Sequence, residues 1–275
     1  MFDRWVNIFF TLALVFTFIL VGASQDHTQI IIGIGLALLF SFTAFILNWL
    51  TIDGAVSAAI FGSIAYGLGG LVSAAIILVF FISGSILSKD HVSEEGLLRK
   101  KFRRNGKQVW ANGFWFTTWL LTWFLTEQDA FLIAAVTAIA TPTADTWATE
   151  IGQNRIKGTT WLITSGKKVE PGTEGGVSIM GTFGAVSGSF LISLVYWLFN
   201  MNVGISTFLV IIVIGFFGCL ADSYIGARFQ NNSYKISSNK IAGNISIEID
   251  NNFVNWISAG IASVISLIII LITSI

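Results

Sequence analysis

Charge is scarce in this sequence: only 11% of its 275 residues are Asp, Glu, Lys or Arg, where soluble domains carry roughly a quarter. Cysteine is nearly absent too. The single Cys219 lies in an apolar run, which rules out an internal disulfide and assigns the side chain to packing. The chain has two histidines, His27 and His91, too far apart in the pattern for a histidine metal site. Net charge is zero, so overall charge identifies no partner, and no nucleic-acid partner is expected.

Apolar residues are abundant, at 54% of the chain, with 24 Phe and 10 Trp. They run in blocks free of Lys and Arg, near or above the roughly 18 residues that mark a spanning helix. Residues 6–23, 30–50, 71–88, 176–199, 203–226 and 252–275 read as spans. Residues 54–68, 109–126 and 129–146 are shorter or interrupted, by Gly54, Gly62, Gly67, Gly113 and Pro142. The expectation is an all-α polytopic membrane bundle of about nine segments forming one domain over residues 1–275. The count falls to seven if 54–88 is a re-entrant hairpin. Val21 and Ala23 resemble a signal cleavage pattern, but a run of this length followed by further spans reads as a true helix.

The basic residues set the orientation. Arg4 precedes the first span, and all the others fall in three loops, at 89–108, 147–175 and 227–251. Loops rich in Lys and Arg stay cytoplasmic. Nine crossings from a cytoplasmic N-terminus put all three loops inside, and the opposite loops near residues 25–29, 127–129 and 200–202 carry no Lys or Arg. The expected location is the cell membrane, multi-pass, with the site on the cytoplasmic side.

A carboxylate at the edge of a spanning helix is costly and marks a candidate site. One candidate is ATPTADTWATEIGQ, residues 140–153. At about 1.5 Å per residue Asp145 falls near the inner rim, with Thr149 and Gly152 on its face and Glu150 turned away. An Asp that merely caps or solvates the helix end is the alternative.

A second candidate, GKKVEPGTEGGVSIMGTFGA at 166–185, joins Lys167 and Lys168 to a Pro-Gly turn, a Gly pair and the start of an apolar helix. Backbone N–H groups at glycines, a helix N-terminus and nearby lysines favour an anion. The order differs from a P-loop, and Gly181, Gly184 and Gly188 read as helix-packing positions.

The third is GCLADSYIGARFQ, 218–230, with EIDNNFVNW, 248–256. Asp222 again falls near the inner rim, Ser223 and Gln230 share a face, and Asn251 or Asn252 pairs with Asn255. Asp250 reads equally as an N-cap or a ligand. Two rim aspartates, amides, a glycine loop and basic loops suggest a polyanion bound with a divalent cation, and oxygen ligands suit Mg²⁺.

The motifs TIDGAVSAAIFG (51–62), RRNGKQVWANG (103–113), ADTWATEIG (144–152), GTEGGVSIMGT (172–182), ADSYIGARFQ (221–230) and DNNFVN (250–255) resemble, in unbroken order, the phytyl-phosphate kinase family of integral membrane proteins. That family is distantly similar to dolichol kinase, phytol kinase and CDP-diacylglycerol synthase. Asp145, Thr146, Ala148, Pro171, Gly172, Gly175, Gly176, Asp222 and Ser223 match its elements. The PGHGG-xx-DR-xD ending of the cytidylyltransferases is replaced by Asp250, Asn251 and Asn252.

The resemblance implies phosphoryl transfer from CTP or ATP to an isoprenyl monophosphate. CTP-dependent formation of a CDP-lipid is the alternative reaction, and a transporter the non-enzymatic one. A transporter usually holds its ionisable groups near the midplane. Under the kinase reading Asp145 and Asp222, with Asp250, are the Mg²⁺ ligands. Lys167, Lys168 and the Gly175–Gly176 backbone hold nucleotide phosphates, beside Thr146, Thr149, Pro171, Gly172 and Ser223. Arg103, Arg104 and Lys107 are further headgroup contacts, and Gln230, Asn252 and Asn255 orient the ligands. Small residues between 54 and 75 leave room for an isoprenoid tail.

Overall fold

A computed structural model describes residues 2–88, 103–153, 158–230, 233–236 and 245–273. The expectations for Lys89, Arg99, Lys100, Lys101, Arg155, Lys157 and Lys240 lie outside these. The protein is an all-α polytopic bundle. In chain order its helices are α1 (Phe2–Phe16, continued by a π-helical turn Thr17–Val21), α2 (Ser24–Ile46), α3 (Ile52–Leu87) and α4 (Gly106–Thr126). Then come α5 (Asp129–Gln153), α6 (Ile179–Phe199), α7 (Ile205–Phe229) and α8 (Asn251–Thr273). Between α5 and α6 lie three short strands, β1 (Thr160–Leu162), β2 (Lys168–Val169) and β3 (Gly176–Ser178). A hairpin of β4 (Ser233–Ile236) and β5 (Ile245–Glu248) joins α7 to α8.

Among the described residues seven helices are long and apolar enough to cross a membrane. α3 counts as one of them although its 36 residues are too long for a single crossing at 1.5 Å per residue. It breaks at Gly70, where φ is 62° and ψ −154°, a backbone region that is essentially glycine's alone. The two arms run back on each other, since Arg104 touches Gly54 near the start of the first and Gly84 and Ser85 near the end of the second. With α4, which is more polar, the described residues form nine helical rods, two of them the arms of α3.

α5 is the centre of the bundle and touches α3, α4, α6, α7 and α8. From Leu132 to Ala144 its residues are buried. Pro142 does not stop it. Thr137, Thr141 and Thr143 donate to the carbonyls of Ile133, Thr137 and Ile139 at 2.9, 3.2 and 2.7 Å, and neighbouring helices enclose the turn whose backbone bond the proline removes. The expected packing role of Gly181, Gly184 and Gly188 is observed: Cβ atoms there would lie 3.1 Å from the Ala148 carbonyl oxygen, 2.6 Å from that of Trp147 and 2.8 Å from that of Thr143. The glycines expected to leave a lipid groove are instead filled by α2. A Cβ on Gly62 would meet Ala37 at 3.0 Å and one on Gly67 would meet Ile30 at 3.2 Å.

The helix ends sort to two faces. Thr51, Asn105, Ser178 and Asp250 cap the starts of α3, α4, α6 and α8 with side-chain hydrogen bonds. All four lie on the face that holds the N-terminus and the ends of α5 and α7, as shown by contacts of Asp3 with Gly106, Ser178 with Gly152, and Gly175 with Ala227. On the opposite face Gln29 donates to the carbonyls of Tyr66 and Gly67 at 3.2 and 3.1 Å. Trp123 meets Asp129 there.

Candidate functional site

On the capped face a cavity of about 180 Å³ opens between α5, α6 and α7, roofed by the small sheet. β1 is the central strand, antiparallel to β2 and β3, and β3 leads straight into α6. The loop from β2 to β3 turns twice through glycines of positive φ, Gly172 at 87° and Gly175 at 73°. Gly175 presses on α7 so closely that a Cβ would fall 2.6 Å from the Ser223 carbonyl oxygen and collide with the Ala227 methyl. This docking puts the stretch from Gly172 to Ser178 along the cavity wall.

α5 contributes Asp145, Ala148, Thr149 and Gly152 to the wall, positions one helical face apart. Glu150 points elsewhere, accepting from Ser88 Oγ at 2.7 Å. α7 contributes Cys219, Asp222, Ser223 and Gly226, and Asn251 reaches in from α8. Asp222 is 7% exposed; its Oδ2 accepts from Ser258 Oγ at 2.8 Å. The orientation of the Asn255 amide is assigned from its neighbours: with the nitrogen toward Asp222 it donates to the same oxygen at 3.1 Å and to the Asn251 carbonyl at 3.1 Å. Cys219 Sγ lies 3.9 Å from Asp145 Oδ1.

Electrostatics are one-sided. Asp145, Asp222 and Glu174 line the cavity and repel one another across it. Among the described residues no Lys, Arg or His lines it. Among the described residues no group of three acids, cysteines or histidines is drawn together tightly enough to hold a metal by itself. The donor set is carboxylates, hydroxyls and backbone groups, which fits a hard cation that keeps some of its water and shares its remaining positions with phosphate oxygens.

The structure gathers Asp145, Thr149, Gly172, Gly175, Gly176, Asp222 and Ser223 around the cavity, with Asn255 against Asp222. The other sequence candidates lie elsewhere. Lys167 ends the turn between β1 and β2 and Lys168 opens β2, both exposed, and Pro171 is exposed after that strand. Thr146 turns toward Gly84 of α3. Gln230 ends α7, its amide near Gly226 but outside the cavity lining.

Asp250 caps α8 through Phe253 N at 3.0 Å, pairs with Lys107 and accepts from Asn252 at 3.1 Å. Burial would raise its carboxyl, but these bonds outweigh that and hold it below the usual carboxylate value. Its two oxygens are thus engaged within the protein, and the expectation of a metal ligand there gives way to the cap. Arg103 is exposed. Arg104 donates to Ser85 Oγ at 2.6 Å, lies 5.1 Å from the centre of the Phe81 ring and faces Glu150. Burial pushes its guanidinium down to about 10, partly offset by Glu150.

Among the residues that escaped the sequence reading are Glu174 and Cys219, which line the cavity, and Ser258, which lies behind Asp222. Glu174 sits between the glycines of GTEGG, and an acid flanked by flexible residues ahead of an apolar helix was the available signal. Ser258 follows Asn255 by one helical turn, but a serine in a membrane helix is common glue. Cys219 was assigned to packing; it is buried, and it also lines the cavity.

No solved structure matches the chain. It is 34% identical over 185 residues to an uncharacterised membrane protein of Methanocaldococcus jannaschii, covering 65% of this chain and 74% of the relative. It is 24% identical over 277 residues to Protein PGR of Arabidopsis thaliana, covering 86% of this chain and 94% of that one. The family described as integral membrane protein DUF92 matches residues 35–263, a stretch that contains every wall of the cavity. The chain therefore belongs to the DUF92 family of integral membrane proteins.

Proposed function

We propose that this protein is a cation-dependent membrane phosphotransferase that moves a phosphoryl group from CTP or ATP to an isoprenyl monophosphate, giving the diphosphate. The observation that carries this reading is the acidic cavity with no basic residue among its described lining, set at the end of the helices. Three carboxylates facing one another favour a cation, and a polyphosphate enters such a cavity only together with one. Mg²⁺ in such a site neutralises phosphate charge and aligns the transferring group.

Asp145 and Asp222 hold the cation in this reading. Gly175 and Gly176 let backbone approach the phosphates, and Ser223 and Thr149 supply hydroxyls at the wall. A monophosphate acceptor is already ionised at neutral pH, so the protein needs no strong general base, only positioning and charge neutralisation. The motif resemblance supplies the isoprenyl acceptor and the nucleotide donor. The basic loops place this face in the cytoplasm of a cell membrane.

Purified protein in lipid nanodiscs, given phytyl or geranylgeranyl monophosphate, Mg²⁺ and labelled CTP or ATP, tests the reading. Labelled isoprenyl diphosphate with release of nucleoside diphosphate is expected. Pyrophosphate release with a CDP-lipid would move the activity to cytidylyl transfer. No product with any triphosphate would overturn the proposal.

A further inference from the structure

We infer that Ser258 and Asn255 are positioning residues that make Asp222 a one-oxygen cation ligand, an inference that rests on the cation-dependent reading above. Asp222 projects from α7, but what orients it comes from α8. Ser258, 1% exposed, donates to Oδ2 at 2.8 Å. Asn255, one turn earlier on the same face, donates to that same Oδ2 at 3.1 Å. Both donors come from α8, so one helix orients a carboxylate that another helix carries.

Two donors fill the lone-pair directions of Oδ2 and leave Oδ1 with none. Among the described residues Oδ1 accepts no hydrogen bond. Here the residue lines the cavity, and the unfilled oxygen is the one left for whatever occupies it. The arrangement also stops rotation about the carboxyl bond, so Oδ1 is held in place before the cation arrives. Asp145 differs in having the weak Cys219 thiol contact at 3.9 Å as its recorded partner. The two acids therefore divide the work: Asp222 is rigid and Asp145 adjustable.

Mn²⁺ binding, read by electron paramagnetic resonance on nanodisc-embedded protein with a non-hydrolysable CTP or ATP analogue and no lipid acceptor, tests this apart from turnover. Ser258→Ala and Asn255→Ala are each expected to weaken Mn²⁺ binding by about 10- to 100-fold, as loss of an orienting partner does at metal sites. Ser258→Thr, which keeps the hydroxyl, is expected to restore it. Ser263→Ala removes a hydroxyl on the same helix that bonds Trp119 instead, and is expected to leave binding at the parent level. Alkylation of Cys219 gives a second readout, since bound Mn²⁺ shields that cavity thiol in the parent and less so in Ser258→Ala.

Parent-level Mn²⁺ affinity in both alanine variants would overturn the positioning role, as would a Ser258→Thr protein as weak as Ser258→Ala. A parent protein that binds no Mn²⁺ would instead overturn the cation reading itself. A functional parent with unaltered alanine variants overturns only the inference.

Discussion

Two polar clusters share one rim of this bundle, and both borrow from α5. In the first, Glu150 meets Ser88 and the Arg104 guanidinium, which also bonds Ser85 and lies against Phe81. Charge there is matched within the protein, and the cluster ties α3, α4 and α5 together. In the second, five residues back along the same helix, Asp145 faces Asp222 and Glu174 across a cavity with no basic group among its described lining residues. A matched buried pair is a joint, because its energy is spent between its own members. An unmatched set of acids raises the energy of the folded protein unless something from outside completes it, and that makes it the candidate for chemistry.

The contrast is broken most sharply by removing charge from each side. Asp145→Asn and Asp222→Asn are expected to lower phosphotransferase turnover by at least about 10² to 10³ while leaving the unfolding temperature unchanged or raised, because repulsion across the cavity is relieved. Parent turnover in both variants, measured with labelled nucleotide, would remove the acids from the mechanism.

Arg104→Met is expected to do the opposite. It takes the guanidinium away from Ser85, Phe81 and Glu150 and destabilises the protein by about 2 kcal/mol, measured by denaturant titration in detergent, with Mn²⁺ affinity at the parent level in the protein that remains folded. A large loss of cation binding without a loss of stability would assign Arg104 to the site after all.

The smallest effect belongs to the Lys107–Asp250 pair, which is partly exposed. Because the folded Asp250 carboxyl is held below its usual value, its contribution is present above the unfolded value near pH 4 and is lost as pH falls through the folded value. Lys107→Ala should remove less than about 1 kcal/mol and flatten that acid limb in a pH series of unfolding curves. An unchanged limb would show that the pair is not what holds the α8 cap.

Much of this was legible in the residues. The apolar blocks marked the rods, and the 36-residue α3 divides at Gly70 as two separate sequence runs had suggested. Helical spacing separated Asp145, Thr149 and Gly152 from Glu150 correctly, since all lie on one rigid rod. The same arithmetic failed off the helices. Lys167, Lys168 and Glu174 all lie in one short segment, and nothing in their order says which will face the cavity. Asp250 as cap rather than ligand was likewise open until Lys107 and the Phe253 amide were seen to occupy it.

The sequence by itself determined a membrane bundle, a rim where the acids gather and the face each acid takes on its own helix, because hydropathy and the 3.6-residue period act locally. Only the tertiary structure decided the membership of the cavity. Gly175, with no side chain to hold it away from Ala227, lets the roof loop settle on α7, which brings Glu174 to the rim of the cavity and leaves the two lysines exposed outside its lining. That outcome depends on a contact between segments about fifty residues apart, which no local pattern encodes.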